Sequence, residues 1–177
     1  MKIAFKSTLS LHRSRKAKNE NNDCTVHAIA NAWGIEYDKA HELVRRYFKR
    51  DNGEGALMYN ILMSLSGLDR DCAFPPVVNG MKFKFKGTCM ECRHWAELIG
   101  ESMLLVNRKY PKGRDWEGNR AYGAYTIGKF IQDHPIGRFF VLVKGHACAI
   151  VDGVLYDMPG YKREGHRRRI EMAWEVE

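Results

Sequence analysis

Residues 145–157 read Gly145-His146-Ala147-Cys148-Ala149-Ile150-Val151-Asp152-Gly153-Val154-Leu155-Tyr156-Asp157, and the Asp-Gly pair near their centre constrains the fold more than any other feature. Two apolar runs joined by Asp-Gly form a β-hairpin with a two-residue turn, because Asp tolerates and Gly freely adopts the positive φ such a turn requires. The turn dictates a register in which Val151 faces Val154, and counting back sets Cys148 opposite Asp157. Side chains two apart share a face, so His146 and Asp157 become diagonal neighbours, about 7–8 Å apart at the backbone. An Asp in that place holds the tautomer of an imidazole and stabilises its charged form. Asp152 itself is accounted for by the turn.

The neighbouring segments extend this hairpin into a sheet. Arg138 to Lys144 reads as a strand, as does Arg169 to Val176, where Ile170, Met172, Trp174 and Val176 alternate. Helices come earlier. In Asp23–Gly34, Val26, Ile29, Ala30 and Trp33 fall on one helical face, with Asp23 as N-cap and Gly34 as stop. A second helix starts near Asp38 and uses Ala40, Leu43, Val44 and Tyr47, while Arg45, Arg46 and Lys49 point outward. A third spans about Ala56 to Leu65 and stops at Gly67. Residues 2–6 fit a short strand followed by a polar loop through Asn22. Met81 to Lys86 fits a half-exposed or edge strand, and a capping box at Thr88-Cys89-Met90-Glu91 predicts a helix to about Ile99. Residues 107–123, rich in Gly, Arg, Lys and aromatics, read as a long surface loop bordering a cleft, with Trp116, Tyr122 and Tyr125 as aromatics for a substrate or for packing. Thr126 caps a short helix ended by Pro135. Helices first and an antiparallel sheet after them is an α+β order. At 177 residues the chain suits one domain, 1–177.

The first turn of the Asp23–Gly34 helix carries Cys24. A thiol there lies at the positive end of the helix dipole, which favours the thiolate, and a nearby imidazole lowers its pKa further. An early helix bearing Cys and later paired strands bearing His and Asp make a layout for nucleophilic acyl transfer. Contact between the helix tip and the hairpin is what this expectation requires. His27, one turn along from Cys24, is a competing partner and fits better as a helix-surface residue or as one supporting the site from behind. Cys24 packed inertly at a helix start is the plain alternative.

Asn22-Asp23-Cys24 opening a helix, then Gly145-His146 on a strand and Asp157 on the next, resembles the papain-like cysteine peptidase superfamily. Within it the chain is most similar to bacteriocin-processing peptidases and to small papain-like proteins of phages. The resemblance implies a papain-like α+β fold, with N-terminal helices carrying the Cys packed on a C-terminal antiparallel sheet carrying His and Asp. It implies hydrolysis of an amide or peptide bond, with Cys24 as nucleophile, His146 as general base and Asp157 as orienting residue. The family supplies an oxyanion-hole Gln about six residues before the Cys; here that position is Lys18. Asn19 or Asn22 stands in as a donor, beside the backbone amide of Cys24. The alternative is a papain-like scaffold of weak or absent catalysis that serves as a phage-type binding or virion protein.

Partners follow from charge. The formal net charge is +8, with Arg13, Arg15, Lys16 and Lys18 near one end and Lys162, Arg163, Arg167, Arg168 and Arg169 near the other. Such runs solvate a surface or meet an acidic partner or nucleic acid, in addition to a peptide or protein substrate. No stretch approaches the roughly 20 apolar residues of a membrane span, and no signal-like run opens the chain, so the expected location is cytoplasmic, in the host cytoplasm or virion if phage-encoded. Five cysteines without framework spacing are expected to remain thiols. Cys89, Cys92 and His94, with Cys72 as a fourth, form a weak zinc set, because the Cys pair falls within a helix rather than a tight turn. No metal or other cofactor is expected.

Overall fold

In a computed structural model, residues 3–8, 14–18, 20–88, 106–114, 120–124, 126–158 and 167–177 are described. The hairpin forms as its turn dictates. Asp152 and Gly153 take φ of 47° and 74°, joining β7 (His146–Val151) to β8 (Val154–Asp157) with Val151 opposite Val154 and Ile150 opposite Leu155. On the other side of β7 lies β6 (Arg138–Val143), antiparallel, with Val143 facing His146. The C-terminal β9 (Ile170–Val176) pairs with β6 and in turn with β3 (Met81–Thr88). The two-residue β2 (Val77–Val78) flanks β3.

The sheet is therefore open and seven-stranded, but not the purely antiparallel C-terminal sheet expected. β1 (Ala4–Ser7) runs parallel to β8 at the opposite edge, giving the order β1-β8-β7-β6-β9-β3-β2. The described residues of the loop expected at 107–123 also differ from that expectation. β4 (Val106–Arg114) and β5 (Arg120–Ala124) form a separate antiparallel ribbon with irregular register. Its Gly and Pro content hides the alternation that identifies strands.

Helices cover both faces. α2 (Cys24–Trp33), α3 (Tyr37–Tyr47) and α4 (Met58–Leu65) share one core with Phe140, Leu142, Ala147, Ala149, Met172 and Trp174. α5 (Ile127–Asp133) packs with Phe139, Val141, Val143, Cys148, Ile150 and Leu155 on the other side. The alternation along β6 and β7 thus divides one apolar run between two layers, as expected of a sheet buried on both faces. Burying a side chain such as Phe140 contributes roughly 1.5–3 kcal/mol. As expected, Thr126 caps α5, its Oγ1 accepting from the Lys129 amide at 3.2 Å. The segment before Cys24, expected as loop, includes a one-turn helix, α1 (Arg15–Lys18).

Thr88 is the last residue of β3. The helix expected after it lies outside the described residues, as do Cys89, Cys92, His94, Trp116 and Tyr125. Among the described residues, no helix is long and apolar enough to cross a membrane.

Candidate active site

α2 is anchored at both ends before it meets the sheet. Gly34 ends it in the left-handed region at φ 60°. Arg138, on β6, donates from Nε to the Ala32 carbonyl at 2.7 Å and from Nη2 to the Asn31 carbonyl at 2.5 Å. A guanidinium on the last carbonyls of a helix satisfies orphan acceptors and opposes the negative end of the dipole. Trp33 is fully buried among Phe74, Phe83 and Phe140, with centroids 5.4–6.2 Å away. Along the helix, Ala28 and Ala32 share their core with Ala147 and Ala149, and small side chains on both surfaces let helix and strand approach closely.

The segment leading into Cys24 is held by α3 and the turn behind it. Buried Glu20 accepts from Arg50 Nη2 at 2.6 Å and from the Gly53 amide at 3.0 Å, and lies 2.6 Å from His41 Nε2. Burial pushes the Glu20 carboxyl up, but these partners outweigh it and hold the carboxyl below its ordinary value. Asn22, at φ 59°, donates its side-chain amide to the Gly53 carbonyl at 3.2 Å. One of the two N–H groups of that amide is thus committed to Gly53. Asn19 lies outside the described residues. Lys18 ends α1, exposed.

Asp23 holds the N-cap position but makes no side-chain cap hydrogen bond. The expected cap is absent because tertiary partners claim the carboxylate. Tyr37 Oη donates to its Oδ2 at 2.6 Å, and His27 Nε2 lies 3.1 Å from the same oxygen. His27 is 2% exposed, so it is not the helix-surface residue that was one expectation for it; it is buried against Asp23 behind the helix start.

The tip of α2 meets the hairpin. The Cys24 thiol lies against the His146 imidazole and the Ala147 backbone, both of which favour its thiolate form. His146 Nε2 lies 2.6 Å from Asp157 Oδ1, which leaves Nδ1 as the nitrogen for sulfur. Asp157 Oδ1 also accepts from the Met158 amide at 2.7 Å. Burial pushes the Cys24 thiol up, yet His146 and the Ala147 amide outweigh burial and bring it below its ordinary value. Burial likewise pushes the imidazole down, yet Asp157 and Cys24 raise it to about 9. Both shifts run toward a thiolate–imidazolium pair. Cys148, on the same strand face as His146, is fully buried, and burial raises its thiol well above the usual value.

A cleft of about 150 Å³ opens on this pair, between α4 and the ends of β6 and β7. Ala56, Met58, Ile61 and Leu142 give it apolar walls, and Glu171 is its one acidic lining residue among the described residues. Sequence reading missed Glu171. Leu142 pairs with Met172 and Val143 with Ile170, so Glu171 is the extra residue of a β-bulge. The bulge also corrects the expected alternation, for Ile170 packs toward α5 while Met172 packs toward α2. In the sequence, only an acidic residue next to an apolar pair marked the spot.

Of the basic residues noted at the two ends, Lys18, Arg167 and Arg169 are exposed and Arg168 is half-buried. Arg13, Lys162 and Arg163 lie outside the described residues, and the side chains of Arg15 and Lys16 are not described. No group of three or more metal-ligating side chains occurs among the described residues. Comparison with protein-family models, with curated proteins and with solved structures returned no match.

Proposed function

We propose that the chain is a papain-like cysteine hydrolase that cleaves an amide or peptide bond. One observation carries this reading: a thiol at a helix N-terminus and a buried carboxylate engage the same imidazole, Asp157 Oδ1 at 2.6 Å from Nε2. Thiolate sulfur attacks the carbonyl carbon, forming a C–S bond and an oxyanion. The Cys24 N–H, which the first turn of a helix leaves without an intrahelical partner, faces that charge. His146 gives its proton to the departing nitrogen as the C–N bond breaks. Water then attacks the thioester, His146 takes a proton from it, and the acid leaves while the thiol is restored. Asp157 keeps the ring oriented and supports its charge throughout.

The apolar cleft beside the thiol supports a substrate side chain packed against Met58 and Ile61. Peptides and proteins, rather than small polar amides, fit that wall.

The test is iodoacetamide labelling mapped by mass spectrometry across pH 5–9. Cys24 is expected to react well below the roughly pH 8.5 midpoint of an ordinary thiol. It should outpace Cys72, and Cys148 should react only after denaturation. An ordinary midpoint at Cys24, or reaction only on unfolding, overturns the hydrolase reading. Cleavage in a fluorogenic peptide mixture should disappear in both Cys24→Ala and His146→Ala.

A further inference from the structure

An aspartate immediately before a helix normally turns its carboxylate onto the amides of the first turn, where it is worth about 1 kcal/mol as a cap. In front of a nucleophilic thiol that habit is harmful. The carboxylate would occupy the same positive helix end that favours thiolate, and its charge would oppose that of sulfur. Asp23 stands in this position, directly before Cys24, and does not cap. Tyr37 Oη, from α3, holds its Oδ2 at 2.6 Å, and His27 Nε2 lies 3.1 Å from the same atom.

We propose that Tyr37 is a positioning residue that latches the Asp23 carboxylate away from the first-turn amides of α2, reserving that helix end for the Cys24 thiolate and the oxyanion. The inference rests on the hydrolase reading for its purpose, but the latch is measurable on the thiol alone. The surroundings favour a lasting latch. Asp23 is 4% and Tyr37 2% exposed. Burial and the Asp23 carboxylate both push the Tyr37 phenol far above its ordinary value, so it remains a donor at any pH the fold experiences. Tyr37 also packs edge-on against His27, with centroids 5.3 Å apart. Among the described residues, His146 on β7 is the ionisable group against the thiol, and Glu171 on β9 lines the same cleft. Behind Asp23 are His27 and Tyr37, and beyond them the Glu20–His41–Arg50 cluster.

Tyr37→Phe keeps the ring and removes only the latch donor. The midpoint of Cys24 alkylation is expected to rise by roughly 0.5–1 pH unit, which slows labelling about three- to tenfold on the acid side. Adding Asp23→Asn to Tyr37→Phe removes the released charge and should return the midpoint to that of the wild type. A packing defect at Tyr37 would not be rescued in this way. Asp23→Asn alone should move the midpoint by less than about 0.3 unit, since the latched carboxylate is already off the amides. It remains readable should Tyr37→Phe fail to fold. An unchanged midpoint in Tyr37→Phe, a rise that Asp23→Asn does not reverse, or a large fall in Asp23→Asn alone each overturns the latch. An ordinary wild-type midpoint sinks the hydrolase reading instead, while the difference between the variants still decides the latch.

Discussion

At the scale of single residues, the three that meet were legible because each obeys a local rule. Cys24 follows from its place in a first helical turn, and His146 and Asp157 follow from counting away from the Asp152-Gly153 turn. Their neighbours were not legible, because their roles depend on contacts distant in sequence. Asp23 has every local feature of an N-cap, yet Tyr37 claims its carboxylate from 14 residues away. Asn22 reaches Gly53, 31 residues along, which no short-range pattern encodes. Asp157 supports the sharpest single-residue prediction. Its Oδ1 is shared by His146 and the Met158 amide, and its buried Oδ2 has no hydrogen-bond partner among the described residues. Asp157→Asn keeps the shape and removes the charge that raises the imidazole. The Cys24 alkylation midpoint should rise and the His146 titration, followed by NMR, should fall, each by about one unit. The new amide N–H would be buried where Oδ2 is unpartnered, so stability should drop by about 1–3 kcal/mol as well. Unchanged titrations would show that Asp157 is structural only.

At the scale of elements, legibility followed the presence of a local stop signal. β7 and β8 have the expected limits because one turn sets both, and α2 ends at Gly34 because only an αL residue fits there. β9 was found as a strand, but its face assignment failed at the Glu171 bulge, since a strict period of two cannot reveal an inserted residue. β1 was anticipated as a strand with no indication of its partner, because a parallel partner 150 residues away leaves no trace in local pattern. Arg138 could not be foreseen as the cap of α2, for β6 and the helix end come together only in the folded chain. Arg138→Met preserves most of the stem and deletes both hydrogen bonds to the Asn31 and Ala32 carbonyls. It should cost about 1–3 kcal/mol in urea unfolding, as charge-assisted bonds of this kind do. The Cys24 alkylation midpoint should barely change, because the influence of a helix end fades within a turn and Cys24 is at the other end. A midpoint that moved with Arg138→Met would mean that the cap positions the helix tip, not only the helix end.

At the scale of the whole molecule, the coupled site leaves a signature in stability that no single group would produce. His146 has a folded pKa of about 9 against roughly 6.5 unfolded. Its contribution is therefore complete below pH 6.5 and is lost as pH rises through 9. Cys24 has a folded pKa below its ordinary value, so its contribution is complete above roughly pH 8.5 and is lost as pH falls through the folded value. Above both pH 6.5 and the folded thiol value, and up to about pH 8.5, the two effects oppose. In that interval the unfolded chain carries one proton on the thiol, and the folded chain carries one on the imidazole. Equal proton counts mean no slope, so the pair contributes a plateau over that range. Cys24→Ser removes one side of the balance. The serine hydroxyl does not ionise in this range, whereas Asp157 still raises the imidazole at 2.6 Å. Relative to wild type, the variant should lose stability with rising pH across the same range, with a slope approaching about 1.4 kcal/mol per unit. Urea unfolding at half-unit steps from pH 6 to 9 measures that difference, and groups common to both proteins cancel. A difference that stays flat would mean that thiol and imidazole titrate independently. The pair would then be a neutral thiol beside a histidine, and the charge separation on which acyl transfer depends would be absent.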